Sequence, residues 1–318
     1  MLSSSDTGAT PATHVKFLNI VSTKRSGHHA FIEWIEDGTA RQTQFINNAV
    51  VGPGLLARLP GLASTSGDII LMNYEGVTVA GVSKVIAAQA ATGAAVENVL
   101  FIRDPLNACA SLLHRKSLQH LELVMVLRQL FALRSWLKHY QNRQFEGDLV
   151  FYNRWLQDRR YKDSVAARLS INSGSVPDQI TSFGGGSSFQ DLATGGESAA
   201  PHLLNRWRSY ADDRLFRSLV THPYFYDVFL AELSGAISDS AGENDADEER
   251  ASFLESTRRK RKRNPLVDRI IDRLSEHQAA FERIEALPPG LRKRLLITKA
   301  HIGALLAQPS GSLAISNS

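Results

Sequence analysis

Between Thr23 and Phe31 the chain reads TKRSGHHAF: two bases, a Ser-Gly pair and two histidines, set between the apolar run VKFLNIVS and the helix-like AFIEWI. A strand that ends in a Ser-Gly turn and reopens as a helix aims free backbone N–H groups and the positive end of the helix dipole at one point. That point suits a phosphate or sulfate group. Lys24 and Arg25 add full charge at its rim, and the imidazole N–H groups of His28 and His29 can donate to an anion too. The glycine pair followed by Lys and Ser or Thr that marks the usual nucleotide loop is missing, which disfavours a standard P-loop NTPase. A shared metal ion is not expected either, because neighbouring helical residues point about 100° apart. The bland alternative is a polar helix cap with solvent-facing histidines.

A second segment, NVLFIRDPLNACASLLHR from Asn98 to Arg115, tilts the balance toward an anion site. An apolar strand ends at Arg103, Pro105 stops it, and a helix follows that carries Ser111 eight residues after the arginine. In open parallel sheets ligands lie beyond the carboxyl ends of the strands, where both segments emerge. Two cationic sites at neighbouring strand ends suit a ligand with two separated phosphate groups.

Together, TKRSGHHAF and FIRDPLNACASLLHR resemble the 5′-phosphosulfate loop and the 3′-phosphate segment of sulfotransferases that use 3′-phosphoadenosine 5′-phosphosulfate (PAPS). Arg25, Ser26 and Gly27 match the first loop, with His28 and His29 where two threonines usually stand; Arg103 and Ser111 match the grip on the 3′-phosphate. The resemblance covers roughly Val15 to Leu233 as organisation, and it implies PAPS as donor co-substrate, no required metal, and a hydroxyl- or amine-bearing acceptor, carbohydrate or small molecule. It implies that Arg25, helped by Lys24, steadies the moving sulfuryl group. It also implies a base at a strand end, for which Glu75, after DIILMNY, is the first choice and His28 or His29 the next. Tyr152 would meet the adenine, Trp207 and Arg208 of LLNRWRSY would close over the nucleotide, and the glycine-rich FGGGSSF would hinge a lid; His114 is expected to be structural. Two rivals remain: an atypical P-loop kinase with Asp104 on magnesium, and a non-catalytic nucleotide- or polyanion-binding protein on the same fold.

Hydrophobic periodicity supplies the frame for these segments. VKFLNIV, AFIEWIE, DIILMNY, VSKVIAAQAA, NVLFIRD, a long helical stretch from about Asn107 to Tyr140, and DLVFYN alternate strand and helix. The pattern predicts a three-layer α/β/α, P-loop-like domain with a central parallel sheet. The boundaries expected are a disordered segment over 1–14, the sulfotransferase-like domain over 15–235, a charged linker over 236–263 and a helical tail over 264–318. DSAGENDADEER followed by STRRKRKR motivates the linker.

Bulk properties agree with such a domain. The chain has 318 residues, 43% hydrophobic and 21% charged, enough for a sizeable core. Its net charge of +4 conceals the run RRKRKR from Arg258 to Arg263, so the positive charge is local rather than spread over the surface, and nucleic acid is not the expected partner. The lone Cys109 allows no intramolecular disulfide, and no leader or membrane span is read in the sequence, so a cytoplasmic setting is expected.

Overall fold

A computed structural model describes residues 15–64, 68–114, 120–173, 204–239, 245–259 and 264–276. Five strands form one sheet in the order β2-β3-β1-β4-β5, every neighbouring pair parallel: β1 (Lys16–Ser22), β2 (Thr43–Ile46), β3 (Ile69–Glu75), β4 (Ala95–Ile102) and β5 (Asp148–Phe151). All of β1 is buried, because helices cover both faces of the sheet; Phe17, Leu18, Ile20 and Val21 are apolar, and Lys16, Asn19 and Ser22 are each hydrogen-bonded. The register pairs Ser22 with Glu75 on one side and with Phe101 on the other, so β1, β3 and β4 finish together. The predicted anion loop, Glu75 and Arg103 therefore emerge at one edge.

Helix α1 (His28–Gly38) packs on one face with α6 (Tyr152–Gln157) and α7 (Arg159–Leu169), burying Phe31, Trp34, Trp155 and Leu169 against Leu18, Ile20 and Phe101. The opposite face carries α2 (Pro53–Ala63), α3 (Val79–Ala90), α4 (Pro105–Leu113) and α5 (His120–Gln141). The three layers are those expected. Strand β2 and helix α2 lie outside the sequence reading, since TQFI is short, sits at the sheet edge and is only partly buried.

Polar groups inside the sheet are paired with one another. Asn19 donates to Gln89 Oε1 (2.7 Å) and Asn98 Oδ1 (2.9 Å), and Tyr74 donates to Asn19 Oδ1 (3.2 Å). Unpaired, each such amide would cost about 1–3 kcal/mol.

The expected charged linker contains structure. After α8 (Arg214–Thr221) and α9 (Pro223–Asp239) comes α10 (Asp245–Arg259), with Leu254 and Arg250 buried, and α11 (Pro265–Glu276), with Val267 and Ile271 buried. Leu254, Val267 and Ile271 join the same apolar cluster as Ile70, Met72 and Ile102 of the sheet. Glu248, Glu249, Glu255, Arg258 and Arg259, which the sequence reading assigned to a solvated spacer, form the exposed outer face of this docked helix, while Arg250 turns inward. The segment 1–14, the glycine-rich FGGGSSF and the tail beyond Glu276 lie outside the described residues, and among those described no helix is long and apolar enough to cross a membrane.

Candidate active site

The loop between β1 and α1 closes tightly: Ser26 N–H donates to Thr23 O (3.2 Å), and Arg25 and Gly27 both adopt left-handed backbone conformations, φ 68° and 88°. Gly27 is required on two counts. Its φ disfavours a side chain, and a Cβ there would sit 2.5 Å from the Tyr152 ring. Gly27→Ala should therefore destabilise the fold by about 1–3 kcal/mol and displace the loop, as denaturant unfolding would measure. Tyr152 is thus placed as a buried wall of the loop, with the Arg103 guanidinium 5.1 Å from its ring centroid; in that position its ring is engaged by protein where adenine contact was expected.

Arg103, at the end of β4, is buried and donates through Nη1 to Arg25 O (3.3 Å). Ser111, on the inner face of α4, accepts from Arg206 Nη1 (3.2 Å). Burial, then repulsion from Arg103 and Arg25, pushes the Arg206 guanidinium down to about 9, with Tyr152 opposing. Cations from the loop, from β4 and from the 3-10 turn Arg206–Tyr210 therefore lie within electrostatic reach of each other in a poorly hydrated place. Gathered like charges of this kind favour an anion between them.

The sequence reading assigned Trp207 and Arg208 to the nucleotide; in the turn both side chains are engaged by α10. Trp207 is buried against Phe253, with ring centroids 4.8 Å apart, and Arg208 pairs with Glu249 with half its side chain exposed. Arg206 takes the inward position, which the sequence RWR leaves undecided because its two arginines flank one tryptophan. Arg208→Ala should leave anion binding intact and change stability by under about 0.5 kcal/mol. Lys24 offers its backbone N–H to Gln129 Oε1 of α5 (2.9 Å). His114 bonds Tyr210 (3.1 Å), away from the loop.

Asp104 is fully engaged as the cap of α4. It accepts from Asn107 N (2.9 Å), Asn107 Nδ2 (2.7 Å) and Asn153 Nδ2 (3.0 Å), and buried Arg250 of α10 approaches it to 3.7 Å. The kinase reading needs that carboxylate for magnesium. Arg250 and Asn107 both donate to Leu204 O, and Trp207 N–H donates to Asn107 Oδ1 (3.2 Å), so the same cluster anchors the turn that delivers Arg206. Of the basic run, Arg258 lies 4.4 Å from the Tyr226 ring centroid and Arg259 pairs with Glu255; residues 260–263 lie outside the described residues.

Glu75, the last residue of β3, meets both histidines. His28 Nε2 is 2.8 Å and His29 Nε2 3.6 Å from Glu75 Oε1, with the two rings perpendicular and 4.2 Å apart. Helical geometry disfavours adjacent histidines converging on one ion. Here they converge on Glu75 because the strand-end carboxylate lies off the helix terminus, within reach of both side-chain directions. His28 is also held through Nδ1 by Ser26 Oγ (3.0 Å), and Asn73 Nδ2 lies 3.0 Å from its Nε2. Burial lowers His28 despite the Glu75 hydrogen bond. Burial would raise Glu75, but the hydrogen bonds from His28 and His29 hold its carboxyl well below the usual range.

No family model and no curated protein matches the sequence. Among solved structures, the mouse sulfotransferase SULT7A1, determined in complex with PAP, is similar over 76% of this chain and 88% of its own, at 13% identity and a TM-score of 0.41.

Proposed function

We propose that this protein transfers a sulfuryl group from PAPS to a hydroxyl or amine acceptor, a carbohydrate or small molecule. The observation that supports it most is the gathering of Arg25, Arg103 and Arg206 with Ser111 beyond the carboxyl ends of β1 and β4. In this reading the loop and Arg25 receive the 5′-phosphosulfate, and Arg103, Ser111 and Arg206 receive the 3′-phosphate. The acceptor oxygen or nitrogen attacks sulfur, the bond from sulfur to the bridging phosphate oxygen breaks, and adenosine 3′,5′-bisphosphate (PAP) departs with the electron pair. Arg25 stabilises the charge that grows on that oxygen.

The acceptor's proton passes to the His29–Glu75 pair. Glu75, held by two histidines, is a weak base alone, and the His29 imidazole beside it supplies the ring nitrogen that receives the proton. His29 is the most exposed of the three, its side chain 18% accessible. His28 serves as the buried clamp. Glu75→Gln should lower transfer by roughly 100-fold while PAP binding is kept.

Isothermal titration with PAP, AMP, ATP and GTP tests the donor site. PAP should bind at least about tenfold more tightly than any of the others, because only it carries the 3′-phosphate, worth roughly 1.5–3 kcal/mol per charge-assisted contact. Equal affinities would sink the two-site reading. Transfer from labelled PAPS across a panel of sugars, phenols and amines would then identify the acceptor class.

A further inference from the structure

His28, His29 and Glu75 offer a second chemistry. Among the described residues they are a group of three metal-ligating side chains whose donor atoms all lie within 4.8 Å of one another. Two imidazole nitrogens and one carboxylate oxygen are the donor set that holds zinc in several hydrolases, with a fourth position left open. An ion about 2.0–2.2 Å from each donor, at a tetrahedral angle, needs donors roughly 3.3 Å apart. The two separations to Glu75 Oε1, 2.8 Å and 3.6 Å, bracket that value, and all three donor atoms lie within 4.8 Å of one another, so small side-chain rotations bring them to an ion.

The surroundings fit as well. A ligating histidine ordinarily has its other ring nitrogen hydrogen-bonded, which fixes the ring; Ser26 Oγ does this for His28 Nδ1 at 3.0 Å. The close contact between His28 Nε2 and the carboxylate oxygen requires a proton between them. A dication at Nε2 replaces that contact, and the neutral ring then carries its single proton on Nδ1, where it donates to Ser26 Oγ. Asn73 Nδ2, beside the same nitrogen, keeps Asn47 Oδ1 as its acceptor at 3.0 Å.

We infer that His28, His29 and Glu75 bind a divalent transition-metal ion, zinc foremost, at the mouth of the loop between β1 and α1. Imidazole nitrogen with a single carboxylate selects zinc, cobalt or nickel over magnesium and calcium, which prefer all-oxygen cages. The inference stands apart from the sulfuryl-transfer reading. It meets that reading at one point: lone pairs engaged by zinc cannot accept a proton, so zinc is expected to slow transfer and a chelator to restore it.

The test uses the full chain stripped of metal by chelation. Titration calorimetry with zinc chloride should show one ion per chain at micromolar affinity or tighter, and cobalt chloride should give visible d–d bands that zinc abolishes. Glu75→Gln and His29→Gln should each weaken zinc binding by roughly 100-fold or more, whereas His139→Ala, whose ring bonds its own helix at Ser135 O, should not. Absence of saturable zinc binding, or undiminished binding in both Gln variants, overturns the inference. Should the variants fail to fold, the cobalt spectrum of the unaltered chain decides, and absent bands overturn it. A chain that binds zinc but not PAP keeps the metal site and loses the donor reading; the reverse outcome is equally plain.

Discussion

Replacing Arg206 with alanine is expected to weaken PAP binding by about tenfold to a hundredfold and to leave the weaker binding of AMP unchanged. Arg206 is buried, donates to Ser111, and is destabilised as a cation first by burial and then by Arg103 and Arg25. A dianion set among these groups relieves that repulsion and gains charge-assisted hydrogen bonds of roughly 1.5–3 kcal/mol each, where 1.4 kcal/mol is a tenfold change in affinity. In the free variant the relief of repulsion offsets the loss of the Ser111 hydrogen bond and of buried contact, so its stability should change little. Thermal unfolding with and without PAP separates the two effects. A variant that still gains as much from PAP as the parent would place the 3′-phosphate elsewhere.

Arg206 also shows where sequence reasoning stops. Arg103 and Ser111 came from the resemblance of FIRDPLNACASLLHR to the sulfotransferase 3′-phosphate segment, and the strand end and the following helix put them where Arg206 meets Ser111. Gly27 and the loop were legible because a turn between strand and helix leaves few conformations. Arg206 and Arg208 differ only in which side of a 3-10 turn faces inward, and that is decided by contacts from distant parts of the chain: Asn107 and Arg250 on Leu204 O, and Glu249 on Arg208. Arg250 comes from α10, a helix hidden in the sequence by its charges. The convergence of His28 and His29 was likewise illegible, since helical spacing describes directions around an axis and takes no account of a carboxylate beyond the helix end.

Arg25 allows stability and chemistry to be pulled apart. Its backbone is left-handed, φ 68°, a conformation that costs a residue with a side chain about 1 kcal/mol and costs glycine nothing. Arg25→Gly should therefore raise the stability of the free protein or leave it unchanged. Transfer, however, should fall by roughly 100- to 1000-fold at saturating PAPS, the scale for losing one preorganised group that meets developing charge. Arg25→Ala should show the same loss of rate without the gain in stability. Arg25→Lys should recover part of the rate, because a point charge still serves the departing phosphate oxygen while the paired N–H geometry of the guanidinium is lost. A plain helix cap predicts the opposite ranking, with turnover unchanged in all three variants and only stability responding. Single-turnover rates measured beside denaturant unfolding of the same three proteins distinguish these patterns, and parental turnover in Arg25→Gly would remove the loop from the chemistry altogether.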